Sequence, residues 1–184
     1  MRKPVILVAM SLAIIVPFLF SGFAPNAFAR VEGGGAQNTM PPLQIVHRTG
    51  LKVVVQVNHV DTMPNGVSKQ VMATKNLYDE YVARGMKPGK DFQIVMVFRA
   101  DGAQFLLTDA AYDQKVKQPH PSGNASREVL DGLNRGGVQM YECGVAMRLK
   151  GYSPADIMPY GRVVAAGIAA IVDFEKSGYL SITP

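Results

Sequence analysis

The sequence predicts an α/β fold: a single three-layer domain with a mostly parallel sheet of about five strands. Three observations predict it. Two runs, Lys52–Asn58 and Phe92–Phe98, are rich in β-branched and aromatic residues with almost no polar interruption. Such continuity belongs to strands covered on both faces, as parallel strands are. Between and after these runs lie segments whose apolar residues recur at helical spacing. Strand-like and helix-like segments then alternate to the C-terminus, the order that builds parallel sheets with crossover helices.

The N-terminal segment stands apart. Arg2 and Lys3 give a positive start, Val5–Phe20 is apolar apart from Ser11, and Ala27-Phe28-Ala29 offers the small-x-small pattern that signal peptidase cuts after. Pro17 interrupts the run, and a spanning helix needs about 20 apolar residues. Residues 1–29 therefore read as a signal peptide cut after Ala29, with the mature protein in the periplasm and not held in the membrane. Residues 30–50 follow as a flexible leader with Gly33-Gly34-Gly35, Asn38, Pro41 and Pro42. The folded domain is expected over residues 51–184.

Within it, Lys52–Asn58 is the first strand. Asn65 is the expected cap of a helix in which Val67, Val71, Thr74, Tyr78 and Val82 recur, and Gly85 closes it. Phe92–Phe98 is the second strand, and Ala103–Thr108 a short helical turn. Gln114–Ser126 is polar, holds Pro119, Pro121 and Gly123, and reads as a loop long enough for a lid or an interface. Ser126 is the expected cap of a helix carrying Val129, Leu130 and Leu133, which Gly136-Gly137 ends. Val138–Glu142 is the third strand and Val145–Lys150 the next helix. Ser153-Pro154-Ala155-Asp156 has the residue types of a helix start. Arg162–Ala165 is the fourth strand, Ile168–Lys176 the last helix with Ser177-Gly178 as its stop, and Tyr179–Ile182 a short final strand.

Charge excludes one class of partner. The chain has 19 Lys and Arg against 14 Asp and Glu; removal of Arg2 and Lys3 leaves 17 against 14, a net +3. The basic residues are spread along the chain, whereas nucleic-acid binding wants a concentrated basic face.

Cys143 is the only cysteine, so no internal disulfide forms. An odd cysteine in an exported chain is a reactive thiol, a bond to another molecule, or a small buried apolar residue. Its position after Val138–Glu142 and before the next helix puts it at the carboxyl end of a strand, where parallel sheets bind ligands. There the thiol is expected to point at solvent near helix-end amides, which favour the nucleophilic thiolate. Glu142 opposes this only if it shares the thiol's side, and strand alternation turns it to the other face. Arg148 and Arg162 are the nearby charges of helpful sign. Cysteine-protease chemistry requires a histidine on the thiol. His59, just past the first strand, is a rim neighbour to consider; His47 sits in the leader and His120 in the proline loop.

No cofactor or metal is indicated. Cys143 lacks the tightly spaced His or Cys that a structural zinc uses. Met140, Met147 and Met158 read as core filler instead of copper ligands. Neither G-x-G-x-x-G nor the phosphate loop follows the first strand, which leads into Asn58-His59-Val60-Asp61, and no G-x-S-x-G elbow exists.

Three segments nevertheless resemble a known family. They are Val138–Gly144, with its strand-Cys-Gly-helix form; Lys150-Gly151-Tyr152 and Met158-Pro159 leading to Arg162–Gly167; and the closing helix and strand Asp173–Ile182. In this order and spacing they resemble the DsrE/DsrF-like family with the YchN-like fold, over the whole of residues 51–184. The resemblance implies a compact α/β domain that assembles into homo-oligomers, often trimers or hexamers. In the sulfur-relay members a cysteine at the Cys143 position accepts and passes on a persulfide. The expectation is thus a periplasmic protein that carries sulfane sulfur on Cys143 between a donor and an acceptor protein. Such a carrier, loaded once per encounter, is not an enzyme in the ordinary sense. The alternative is a non-enzymatic oligomeric binding or assembly module in which Cys143 is structural.

Overall fold

Strands buried on both faces need a layer of cover on each, and the chain supplies it. The structure, a computed structural model, describes residues 45–184; the expected signal peptide and most of the expected leader lie outside the described residues. Five strands, β1 (Leu51–Val57), β2 (Phe92–Phe98), β3 (Gln139–Cys143), β4 (Gly161–Val164) and β5 (Leu180–Ile182), form one sheet in the order β4-β3-β2-β1-β5. Every pairing is parallel. The helices are α1 (Lys69–Ala83), α2 (Asp109–Lys115), α3 (Arg127–Arg135), α4 (Gly144–Lys150) and α5 (Gly167–Lys176), with 3-10 turns at Ala100–Leu106 and Pro154–Asp156.

The layering follows from the order. Crossovers between parallel strands are right-handed almost without exception. Stepping from β1 through β2 and β3 to β4 in one direction keeps the connecting helices on one face. The return across the sheet to β5 puts α5 on the other. Packing agrees: Val55, Met96 and Met140 of the strands share a core with Val71 of α1, Leu130 of α3 and Met147 of α4. On the opposite face Val54, Val95 and Val97 meet Ile171 of α5. Successive residues of one strand thus serve different layers, as the period of two requires.

Several expected boundaries move. The helix after β1 is capped by Ser68, whose hydroxyl accepts the Val71 N–H at 3.4 Å. Asn65 instead accepts the Val67 N–H inside the preceding turn, and Val82 is exposed. The cap moves because the chain must turn before it can enter the helix, and Asn65 is spent on the turn. The helix α2 lies where no element was expected. Thr108 caps it by accepting the Ala111 N–H at 3.4 Å, and Tyr112 anchors it in the core. Ser126 stands at the start of α3 but does not cap it; its hydroxyl accepts the Ser68 N–H at 3.0 Å, tying α3 to α1. Ser153–Asp156 forms a capping box around a single 3-10 turn, with no longer helix behind it.

The loop after α2 is not a free flap. Asn124 is buried and its Nδ2 donates to the carbonyls of Phe105 and Leu107, both at 2.8 Å. Side-chain amides placed this way satisfy backbone carbonyls that burial would otherwise orphan. The loop packs over Gly66, Gln104 and Tyr112, away from Cys143.

Candidate functional site

A doubly wound sheet opens a crevice where neighbouring strands send their following helices to opposite faces. In this chain those strands are β3 and β4: α4 follows β3 on one face, and α5 follows β4 on the other. Cys143 pairs with Val164 at this point. The crevice is a cavity of about 290 Å3. Cys143, Val145, Ala146 and Leu149 line one side, Ala166, Gly167 and Ile168 the other, and Arg99 and Ala100 close the end beyond β2.

The thiol does not point at open solvent, as the strand-end position suggested. Cys143 is 6% exposed. Its Sγ accepts the Gly167 N–H at 3.1 Å. Gly167 is the first residue of α5, and Ala166 before it has no side chain with which to cap the helix. The first amides of a helix lack intrahelical partners and favour negative charge. Cys143 from β3 therefore fills the place of the missing cap. The amide that meets the sulfur belongs to α5, not to the helix that directly follows the cysteine. Gly167 makes the approach feasible: a Cβ there would stand 3.1 Å from Cys143 Cβ and 3.2 Å from Arg99 Cβ. Gly144 does the same for the start of α4, where a Cβ would lie 2.9 Å from the Val164 carbonyl oxygen.

Arg99 is the one charged side chain in the lining. Its Nε and Nη2 donate to Gln56 Oε1 at 3.0 and 2.7 Å, and Gln56 Nε2 donates to Ser181 Oγ at 2.9 Å. The guanidinium is held across the carboxyl ends of β1, β2 and β5. Next to it Ala100 has φ +48°, a left-handed conformation that costs a non-glycine residue about 1–2 kcal/mol and that turns the chain away from the crevice into the 3-10 turn.

Glu142 faces the other way, as alternation requires, yet it remains in contact with Cys143. It is fully buried, and its Oε1 accepts the Cys143 N–H at 3.1 Å. Its carboxyl is raised to about 9 in all: burial pushes it up, the Cys143 N–H pulls it part of the way back, and negative charge on the Cys143 sulfur adds to the rise. The Tyr152 hydroxyl, next to the Cys143 cluster, is raised to about 12 by burial first and by Glu142 second.

The histidines are elsewhere. His59 is exposed, outside the lining of the crevice, and uses its backbone N–H on Gln70 Oε1 at 3.0 Å. His47 is exposed. His120 is half-buried, edge-on to the Tyr112 ring at 4.8 Å, and lines the separate cavity under its loop. Arg148 and Arg162 are exposed and do not line the crevice. Sequence reasoning therefore missed Arg99, Gly167 and the full burial of Glu142. One signal was available for Gly167: Ala165-Ala166-Gly167 begins a helix without any residue able to cap it.

An all-parallel, doubly wound domain with a lone cysteine at its switch point defines the class. The chain belongs to the DsrE/DsrF-like family, whose sequence pattern matches residues 62–184. No curated protein matches it. Among solved structures it is similar to the protein of unknown function MTH1491 from Methanobacterium thermoautotrophicum, with TM-score 0.53 and 19% identity over 73% of this chain and 99% of that one. It is also similar to the ychN protein from E. coli, with TM-score 0.50 and 13% identity over the same shares. At these identities the likeness bears on the fold, which is the one the sequence predicted.

Proposed function

We propose that this protein is an exported sulfur carrier of the DsrE/DsrF-like family that holds sulfane sulfur as a persulfide on Cys143. The observation that carries the reading is the Cys143 sulfur at the switch-point crevice, facing the uncapped amide of Gly167 and opening on a cavity of about 290 Å3. A thiolate is the attacking form of cysteine, and the Gly167 N–H supports negative charge on it. With thiosulfate as donor, the Cys143 thiolate attacks the outer sulfur. A new S–S bond forms, the old one breaks, and sulfite leaves with its electron pair. The product persulfide carries the negative charge and has room in the cavity. An acceptor thiolate then attacks the outer sulfur and regenerates the Cys143 thiolate. No histidine is needed, because no poor leaving group has to be protonated.

Family membership supports a sulfur-relay role in general terms. The signal-like residues 1–29 support the periplasm as its place, and none of the described helices is long and apolar enough to cross a membrane. Leu149 (83%) and Ile168 (64%), at the mouth of the cavity, are the most exposed of its aliphatic side chains, which supports a homo-oligomer closing over this rim. Incubation of the purified protein with thiosulfate or polysulfide, followed by intact mass, tests the reading. The expected product is a gain of one sulfur atom that thiol reductants remove and that Cys143→Ser abolishes. Its absence would sink the proposal.

The low exposure of Cys143 favours a second reading, an oligomeric binding module with a structural cysteine. Resistance of native Cys143 to small alkylating reagents until the protein unfolds would select it.

A further inference from the structure

Glu142 is out of place in an ordinary core. Its Oε2 is the one buried side-chain oxygen or nitrogen without a hydrogen-bond partner among the described residues. A buried carboxylate without a cation costs several kcal/mol, and a chain with no use for it would carry valine or leucine there. We propose that Glu142 is a positioning residue for Cys143: as a neutral carboxylic acid it holds the corner between β3 and α4 through the Cys143 N–H, and when it loses its proton it opposes the thiolate.

The surroundings leave this carboxyl no other partner. On its own strand it meets Cys143. The Tyr152 hydroxyl, raised by burial and then by the charge of Glu142, is a neutral phenol at ordinary pH, and Tyr112 of α2, Asp101 of the 3-10 turn and Asp156 push it the same way. The cations of this region are engaged. Lys150 pairs with Asp101 at 2.8 Å and Lys115 with Asp156 at 3.3 Å. Arg99 is bound to Gln56, and Arg148 and Arg162 are exposed. Desolvation therefore dominates, and the proton stays on Glu142 through neutral pH. Coupling between two acids is mutual: whatever the thiolate does against the carboxylate, the carboxylate does against the thiolate. A protonated Glu142 places no negative charge beside the sulfur, so a thiolate formed there is not opposed.

The purpose of this device rests on the sulfur-carrier reading; its test needs only that iodoacetamide reach native Cys143, and where the thiol resists the reagent the infrared band of the Glu142 carboxyl decides. Alkylation of Cys143 by iodoacetamide, a neutral reagent, is followed against pH in the wild-type protein and in Glu142→Gln. The Gln variant is expected to follow one ionisation. The wild-type profile is expected to be broadened, with reaction near pH 9 slower than that of the variant by up to about twofold, because only about half of Glu142 carries charge there. Profiles that superimpose would overturn the inference. Should the variant fail to fold, infrared spectra of the wild-type protein decide: a protonated carboxylic C=O band present at neutral pH, lost at alkaline pH and shifted when Cys143 is alkylated is expected, and its absence at neutral pH overturns the proposal. Thiosulfate loading is scored separately. No sulfur uptake with the alkylation difference intact removes the carrier reading alone; uptake with superimposed profiles removes the role of Glu142 alone.

Discussion

The two faces of the sheet are built from alternate residues of the same strands, yet they differ in thickness. One face lies under α1, α2, α3 and α4 and buries Phe98, Met96 and Leu130 completely. The other lies under α5 alone, where Ile171 is buried but its helix neighbours Ile168 and Val172 are 64% and 52% exposed. Glu142 projects toward the thick face and Cys143 toward the thin one. The thick face can deprive a carboxyl of water, whereas the thin face leaves a sulfur a cavity and an apolar rim. One strand end thus provides two environments, one that suppresses charge and one that receives it.

The largest test of this contrast is the pH dependence of stability. Glu142 is raised from 4.5 to about 9 in the folded chain. Below pH 4.5 it is neutral in both states and contributes no slope. Between 4.5 and about 9 the folded chain keeps a proton that the unfolded chain has released, so stability falls as pH rises, by about 1.4 kcal/mol per unit and about 6 kcal/mol in all. Above that range both states are ionised and the slope ends. Urea unfolding across pH should show this fall in the wild-type protein and not in Glu142→Gln. A pH-independent difference between the two would mean that Glu142 is already ionised when folded.

Next in size is Phe98→Ala, which hollows the thick face and should cost about 3–5 kcal/mol at fixed pH. Ile171→Ala on the thin face should cost less, about 2 kcal/mol, because solvent and the edge of α5 can relax into the gap. Equal losses, read from denaturant midpoints at matched m-values, would erase the distinction between the faces. Gly167→Ala sharpens it in another way. The added methyl crowds Cys143 Cβ and should cost about 1 kcal/mol while slowing Cys143 alkylation, since the amide and the sulfur must move apart. Ile168→Ser is expected to change the unfolding free energy of the monomer by no more than about 0.5 kcal/mol. If a second copy covers the rim, sedimentation will show weaker self-association in that variant.

Much of the fold was legible in the sequence, and the reason is local. Val53, Val54 and Val55 are hydrophobic in succession because both faces are covered, so period and composition alone identify β1 as an interior parallel strand. β2 was located to the residue for the same reason. The failures came where a side chain had a distant partner. Asn65 and Ser126 have the right chemistry for helix caps, but one is used by its turn and the other by Ser68, 58 residues away. α2 is too short for periodicity to reveal, and Thr108-Asp109 was its only local mark.

By itself the sequence determined the alternating α/β pattern, the parallel sheet, the isolated thiol at a strand end and the family resemblance, because strand burial and helix spacing are written in neighbouring residues. Tertiary structure alone decided which helix amide meets the sulfur, that Arg99 and not His59 shares its cavity, and that Glu142 is fully enclosed. Each of these depends on segments far apart in the chain that β4 and α5 bring to one crevice, and no spacing along the chain encodes that approach. The thiol that reads as solvent-facing from its own neighbours is in fact held by the start of a helix 24 residues further on.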